Sequence, residues 1–220
     1  MSLRDALLEL AQSARARRPA DVQRVIDAAL AGLRDSGLAQ SCLQPGELAP
    51  DFTLPAADGG AVSLEAMLQA GPAVVTFYRG GWCPYCDLTL RALNDLTPDL
   101  QSWRASLAAI APQRAEAQCE TGGKLALRFP LLVDRDNRVA RLFGLVFRMP
   151  DDLVALYRGL GIDLPAANAA KEWELPLPAT YVVARDGTVA EAFIDVDYTR
   201  RAEPADVLAA VTRLVKEPVP

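Results

Sequence analysis

The chain has 220 residues, 51% hydrophobic and 23% charged, which suffices for one well-packed domain plus an extension. With 28 acidic and 23 basic residues the net charge is −5, so a phosphate backbone is not an expected partner and no nucleic acid is anticipated. Histidine is absent, which excludes Cys/His and Ser/His catalysis and His-ligated metals.

No apolar run approaches the roughly 18 residues of a membrane span, so no membrane is expected as a partner. The opening Met1-Ser2-Leu3-Arg4-Asp5-Ala6 carries charge early and lacks an apolar leader core, which makes the cytoplasm the expected location. Thiols stay reduced there, and cysteines are more often reactive, metal-binding or core residues than crosslinks.

Residues 3–36 read as two helices. Leu3, Leu7, Leu8 and Leu10 mark the first, Pro19 breaks it, and Val22, Val25, Ile26, Ala29, Leu30 and Leu33 recur at helical spacing in the second. They form an N-terminal extension over residues 1–42, read as a brace on the main domain, with a dimerisation arm or lid as the functional alternative. A linker at Gln44-Pro45-Gly46 leads to a short strand at residues 49–54. Asp58-Gly59-Gly60 turns it toward Val62, and Ser63 caps a short helix.

Ala73 to Tyr78 is apolar and β-branched, as a strand covered on both faces requires. The loop Arg79-Gly80-Gly81-Trp82 follows, then one helix with Pro84 in its first turn and Leu88, Leu90, Leu93, Leu96 and Leu100 on its buried face. Next come a strand at 107–111, a helix at about 114–127, a strand at 130–134 and a short helix at 139–143 closed by Gly144. Residues 148–175 are mixed and read as an insertion with a helical piece at 151–160. A strand at 179–184, the Asp186-Gly187 turn, a return strand at 188–194 and a helix at 204–215 complete the chain. Early parallel crossovers and a late antiparallel hairpin predict an α/β fold. It is thioredoxin-like, a central mixed sheet flanked by helices over residues 43–220, with the N-terminal helical extension outside it.

Trp82-Cys83-Pro84-Tyr85-Cys86 lies between the central strand and a helix. A helix N-terminus carries unpaired N–H groups and partial positive charge, so a thiolate there has a lowered pKa. Two residues of separation bring the sulfurs within bonding distance, one to attack a disulfide and one to resolve it. Half of a zinc site is the competing explanation, but no second cysteine pair and no histidine exist to complete it. Two inert buried thiols are another. No metal and no other cofactor are expected.

The segments Ala49-Pro50-Asp51-Phe52-Thr53-Leu54, Phe77-Tyr78-Arg79-Gly80-Gly81-Trp82-Cys83-Pro84-Tyr85-Cys86 and Pro176-Leu177-Pro178-Ala179-Thr180-Tyr181 resemble the AhpC/TSA peroxiredoxin-like proteins of the thioredoxin superfamily. The resemblance covers roughly residues 43–216. It places Cys86 at the peroxide-attacking cysteine and Cys83 where the family carries a threonine. Pro178 stands where the family carries an arginine, and a proline there resembles thioredoxins, in which it is cis and lies against the cysteine pair. The resemblance therefore implies catalytic Cys83 and Cys86, with Arg79, Trp82, Pro84, Tyr85, Pro178 and Thr180 as supporting residues.

Three functions follow from this reading. The first is disulfide exchange, with Cys83 the nucleophile and Cys86 the resolving thiol. The second is a thiol-dependent peroxidase, with Cys86 attacking a hydroperoxide and Cys83 condensing with its sulfenic acid. The third is a non-catalytic binding module with ordinary thiols. The implied partners are a thioredoxin-like or glutathione-linked reductant and a protein disulfide or hydroperoxide substrate. Cys42, in a linker expected to move, and Cys119, expected half-buried, read as lone thiols with weaker claims to reactivity. Asp195 to Arg201 reads as a solvated loop, with anion or metal binding as the alternative. The insertion, with Tyr157 and Trp173, is a candidate cover for the site or a homodimer contact.

Overall fold

The computed structural model describes residues 1–168 and 170–216. Helix α1 (Leu3–Arg17) opens on a capping box: Asp5 N donates to Ser2 Oγ at 3.1 Å and Ser2 N donates back to the Asp5 carboxylate at 3.2 Å. Helix α2 (Ala20–Asp35) follows Pro19, and Gly37, at φ +68°, reverses the chain into the short α3 (Leu38–Ser41). Strands β1 (Thr53–Pro55) and β2 (Ala61–Ser63) form the expected hairpin, shorter than its sequence pattern suggests. Ser63 Oγ then caps α4 (Leu64–Ala70) by accepting from Ala66 N.

The central sheet grows from β3 (Ala73–Phe77). Helix α5 (Pro84–Asp95) follows it, then α6 (Thr97–Ser102). These two helices replace the single helix that the leucine spacing predicts. Pro98 has no N–H to give the carbonyl one turn back and its ring crowds that turn, so the helix stops at Leu96 and restarts. Strand β4 (Ser106–Ala111), helix α7 (Ala115–Leu125), strand β5 (Leu131–Val133) and helix α8 (Arg138–Leu142) come next.

Residues 148–175 are bracketed by a two-stranded ribbon, β6 (Val146–Arg148) against β7 (Glu174–Pro176), that the residue pattern does not announce. Between them lie α9 (Asp151–Gly159) and α10 (Leu164–Ala167). The antiparallel pair β8 (Ala179–Val183) and β9 (Val189–Ile194) and helix α11 (Pro204–Lys216) close the fold.

The main sheet has the order β5-β4-β3-β8-β9, parallel on one side of β3 and antiparallel on the other. This is the expected thioredoxin-like mixed sheet. Alternation along β3 divides its side chains. Val74 enters the layer under α1, α5 and α11 with Leu90, Leu93, Val207 and Val211, while Val75 and Phe77 enter the opposite layer with Ile110, Phe143 and Tyr181. Phe77, Phe143 and Tyr181 stack at centroid distances of 4.9 and 5.1 Å. Each such fully buried side chain contributes about 1.5–3 kcal/mol of apolar transfer, and this two-sided core fixes where β3 ends and α5 begins.

Candidate active site

Strand β3 delivers the chain to the carboxyl end of the sheet, the usual place for a site in open α/β folds. Gly80 takes φ +142°, and a Cβ there would collide with the indole of Trp82, which folds back over it. A Cβ on Gly81 would collide with the Thr121 hydroxyl; instead Gly81 N donates to Gln113 Oε1 at 2.9 Å. The loop is thereby held against α7, and Cys83 becomes the N-cap of α5 in extended conformation. The Cys83 carbonyl accepts from Cys86 N at 2.9 Å and Asp87 N at 3.1 Å, and Pro84, in the first turn, sacrifices no hydrogen bond.

Both thiols are free, and both are buried, Cys83 at 3% exposure and Cys86 at 0%. They are not equivalent. Cys83 is held well below the ordinary thiol range, first by a hydrogen bond from Cys86, then by the charges of Arg79 and Arg201. Cys86 is pushed up by burial and by its role as donor to a neighbouring thiolate.

Arg79 supplies the main cation. It is 5% exposed, its Nη2 donates to Tyr157 Oη at 2.6 Å, and its guanidinium lies 5.1 Å from the Trp82 ring and 4.7 Å from the Tyr198 ring. Among the described residues it has no carboxylate partner, as the ion pairs use other groups. A buried cation without a counterion is costly, and a thiolate at Cys83 removes that cost. On the other side, Arg201 Nη2 lies 3.7 Å from Cys86 Sγ.

Tyr85 is buried with its ring 5.4 Å from Tyr198, and Pro84 is exposed. Thr180 Oγ1 pairs with Thr76 Oγ1 at 2.9 Å and lines a void of about 10 Å³ with Cys86 and Arg201. That space admits at most a water. Pro178 borders this void and also a cavity of about 470 Å³ on the Cys83 side. All peptide bonds among the described residues are trans, so the cis geometry expected at Pro178 is not found.

Neither remaining cysteine joins the pair. Cys42 is not in an exposed linker: it is 2% exposed, and its single S–H lies between the carbonyls of Leu38, at 3.2 Å from Sγ, and Gly144, at 3.3 Å. Burial pushes its thiol up to about 11. Cys119 is exposed rather than half-buried and donates to the Ala57 carbonyl at 2.7 Å. Asp87, next to the pair, turns away to Lys124 at 2.8 Å.

Three site residues lay outside the motif reading. Tyr157 comes from the insertion, so α9 covers the site. Tyr198 and Arg201 come from the run after β9 that reads as solvated; Asp197 within it organises a turn by accepting from Thr199 N at 3.0 Å. The tyrosine and arginines in that run were the available signal, since β9 lies next to β8, which pairs with β3.

A five-stranded mixed sheet whose central strand ends at a cysteine-capped helix defines a thioredoxin-superfamily α/β protein. The chain belongs to the AhpC/TSA family, whose sequence model matches residues 45–192. A putative peroxiredoxin of Mycobacterium tuberculosis is 34% identical over 102 residues, 46% of this chain and 64% of that protein. Peroxiredoxin Bcp of Escherichia coli is 31% identical over 102 residues, 46% of this chain and 65% of its own length. The chain thus spans less than two thirds of the length of these relatives. Among solved structures, peroxidoxin BcpB of Mycobacterium tuberculosis superposes with a TM-score of 0.62 at 22% identity, covering 78% of this chain and 98% of that one. The bacterioferritin comigratory protein of Xanthomonas campestris gives 0.59 at 18%, covering 80% and 99%. The structural likeness carries the fold. The family match begins after the N-terminal helices. No helix among the described residues is long and apolar enough to cross a membrane.

Proposed function

We propose that this chain is a thiol-dependent peroxidase in which Cys83 attacks the hydroperoxide and Cys86 resolves it. The observation that carries the assignment of roles is that the buried Arg79, which has no carboxylate partner among the described residues, lines the same cavity as Cys83. Access supports the same order, since Cys83 lines the 470 Å³ cavity and Cys86 only the 10 Å³ void.

The Cys83 thiolate attacks one peroxide oxygen. The O–O bond breaks, the leaving alkoxide takes a proton to become the alcohol, and Cys83 holds a sulfenic acid. The Cys86 thiol then condenses with that sulfenic acid, forming the Cys83–Cys86 disulfide and releasing water. An external dithiol of the thioredoxin type, or a glutathione-linked donor, attacks the disulfide and restores both thiols. Thiol–disulfide exchange, the leading expectation from the motif alone, thereby becomes the reductive half of the cycle. The relatives' names support the peroxidatic half, and the trans Pro178 removes one thioredoxin-like feature. A binding module with ordinary thiols is disfavoured by the two arginines gathered at the pair, Arg201 and the buried Arg79.

The reverse assignment, with Cys86 attacking, draws on its position in the family motif and on Arg201 at 3.7 Å. Trapping separates the two. Cys86→Ser treated with a single equivalent of hydroperoxide should carry a dimedone-reactive sulfenic acid on Cys83 by mass spectrometry, and Cys83→Ser should carry none on Cys86. The opposite pattern overturns the assignment, and the absence of peroxide consumption by the wild type with a dithiol donor overturns the function.

A further inference from the structure

The 470 Å³ cavity beside Cys83 is of the size that holds a small organic ligand. Its floor is the cysteine loop with Pro178 and Tyr198, and two further parts of the chain wall it in. One is the N-terminal pair α1 and α2, which precedes the family match at residue 45; the other is α9 of the insertion. Helix α2 places Val22, Ile26, Leu30 and Leu33 on one face, yet none of its residues is fully buried; α9 likewise buries none. Two amphipathic helices of a folded protein usually close on one another or on the core. Here α2 and α9 touch one another, and the apolar positions left over border the cavity.

The polar groups in the lining are few and of one sign. Among the described residues no acidic side chain lines the cavity, while Arg17, Arg18 and Arg79 do. Arg79 answers the Cys83 thiolate. Arg17 and Arg18, at the turn between α1 and α2, belong to no ion pair among the described residues. Arg18 is half-buried near the hydroxyls of Tyr85 and Tyr198. A peptide laid in this space would leave backbone N–H and C=O groups without partners. A methylene chain leaves none, and a single carboxylate matches the arginine turn.

We infer that the cavity binds a long-chain carboxylate, its acyl chain lying along the apolar faces of α2 and α9 above the cysteine loop and its carboxylate on Arg17 and Arg18. The site deepens the proposed reading because a bound chain covers the Cys83 thiolate, but binding itself does not depend on turnover.

Calorimetric titration of the full chain with oleate, kept below its micellar range, should give single-site binding, and butyrate should give none. Ile26→Trp and Leu156→Trp, which fill the cavity from opposite walls, should each abolish it while keeping the wild-type melting curve. Arg18→Gln should weaken oleate about tenfold, the usual loss for a hydrogen bond to a charged group, and leave oleyl alcohol unchanged. In the wild type, saturating oleate should slow alkylation of Cys83 by iodoacetamide, a readout that needs no variant. Absent saturable binding, undiminished binding in both tryptophan variants, or unprotected Cys83 overturns the inference. Turnover of tert-butyl hydroperoxide without oleate reports on the peroxidase reading alone, so the two fail separately.

Discussion

Arg79→Met tests whether the buried guanidinium sets the reactivity of Cys83. The substitution keeps an unbranched apolar stem but removes the charge, the bond to Tyr157 and the contacts with Trp82 and Tyr198. An opposite charge within contact range shifts a pKa by about 1–3 units, and complete burial of Arg79 leaves little room for solvent screening. A rise of about two units cuts the thiolate fraction about 100-fold at any pH below both values. The more basic thiolate is also the better nucleophile, with a Brønsted slope of about 0.4–0.5, which returns about 6–10-fold.

The net expectation is a loss of about 10–15-fold in the alkylation rate of Cys83 at mildly acidic pH and a gain of about 6–10-fold above the variant's pKa. The two pH–rate curves must therefore cross. Iodoacetamide kinetics from pH 4 to 10, with Cys42 and Cys119 replaced by Ala and modification located by mass spectrometry, measure both limbs. Added salt should move neither curve, as the charges are buried. Parallel curves, or a variant that is slower at every pH, would show that Arg79 packs the loop without charging the thiol, and the assignment of Cys83 as attacking group would lose its main support.

The hydrogen bond from Cys86 is the largest single cause of the Cys83 shift. Cys86→Ser, which keeps a donor, should leave Cys83 reactive in mild acid, and Cys86→Ala should move its profile toward the ordinary thiol value near 8.5, checked by the same kinetics. Asp134 is buried and its carboxylate accepts from Val139 N and Ala140 N, each at 2.9 Å. Asp134→Ala orphans both donors and should cost about 2–3 kcal/mol by urea denaturation, and Asp134→Asn should cost less. Cys42 has its pKa raised by burial, so its contribution is intact below the unfolded thiol value and is lost as pH rises toward about 11. The reduced wild type should therefore lose stability across that alkaline window, and Cys42→Ala should show a shallower slope; equal slopes in chemical denaturation at pH 8 to 11 would refute this.

The elements legible in the sequence are those whose signal is local. Strand β3 declares itself because burial on both faces demands an unbroken apolar run, and the start of α5 because Cys83-Pro84 can only open a helix. The division of α5 from α6 was legible too, in Pro98, but leucine spacing on both sides concealed it. The ribbon β6–β7 was not, since its two strands are short and stand far apart in the chain.

The site divides in the same way. Arg79, Cys83 and Cys86 lie within eight consecutive residues, on one loop and the first turn of α5. Tyr157 and Arg201 reach the site from 78 and 115 residues away in sequence, and their own neighbourhoods mark them only as a candidate cover and a charged run. Their roles exist only because an uncompensated guanidinium and a thiolate create a demand at the end of β3. Tyr157 answers the first through its hydroxyl, Arg201 the second through its charge, and Tyr198 lends Arg79 the face of a ring. The motif therefore states which chemistry is present, while the asymmetry between two otherwise identical thiols is imposed by residues the motif does not contain. Related sheets carrying a cysteine pair at this point need not assign attack to the same sulfur. The assignment follows the open cavity, which Arg79 and Cys83 line and Cys86 does not.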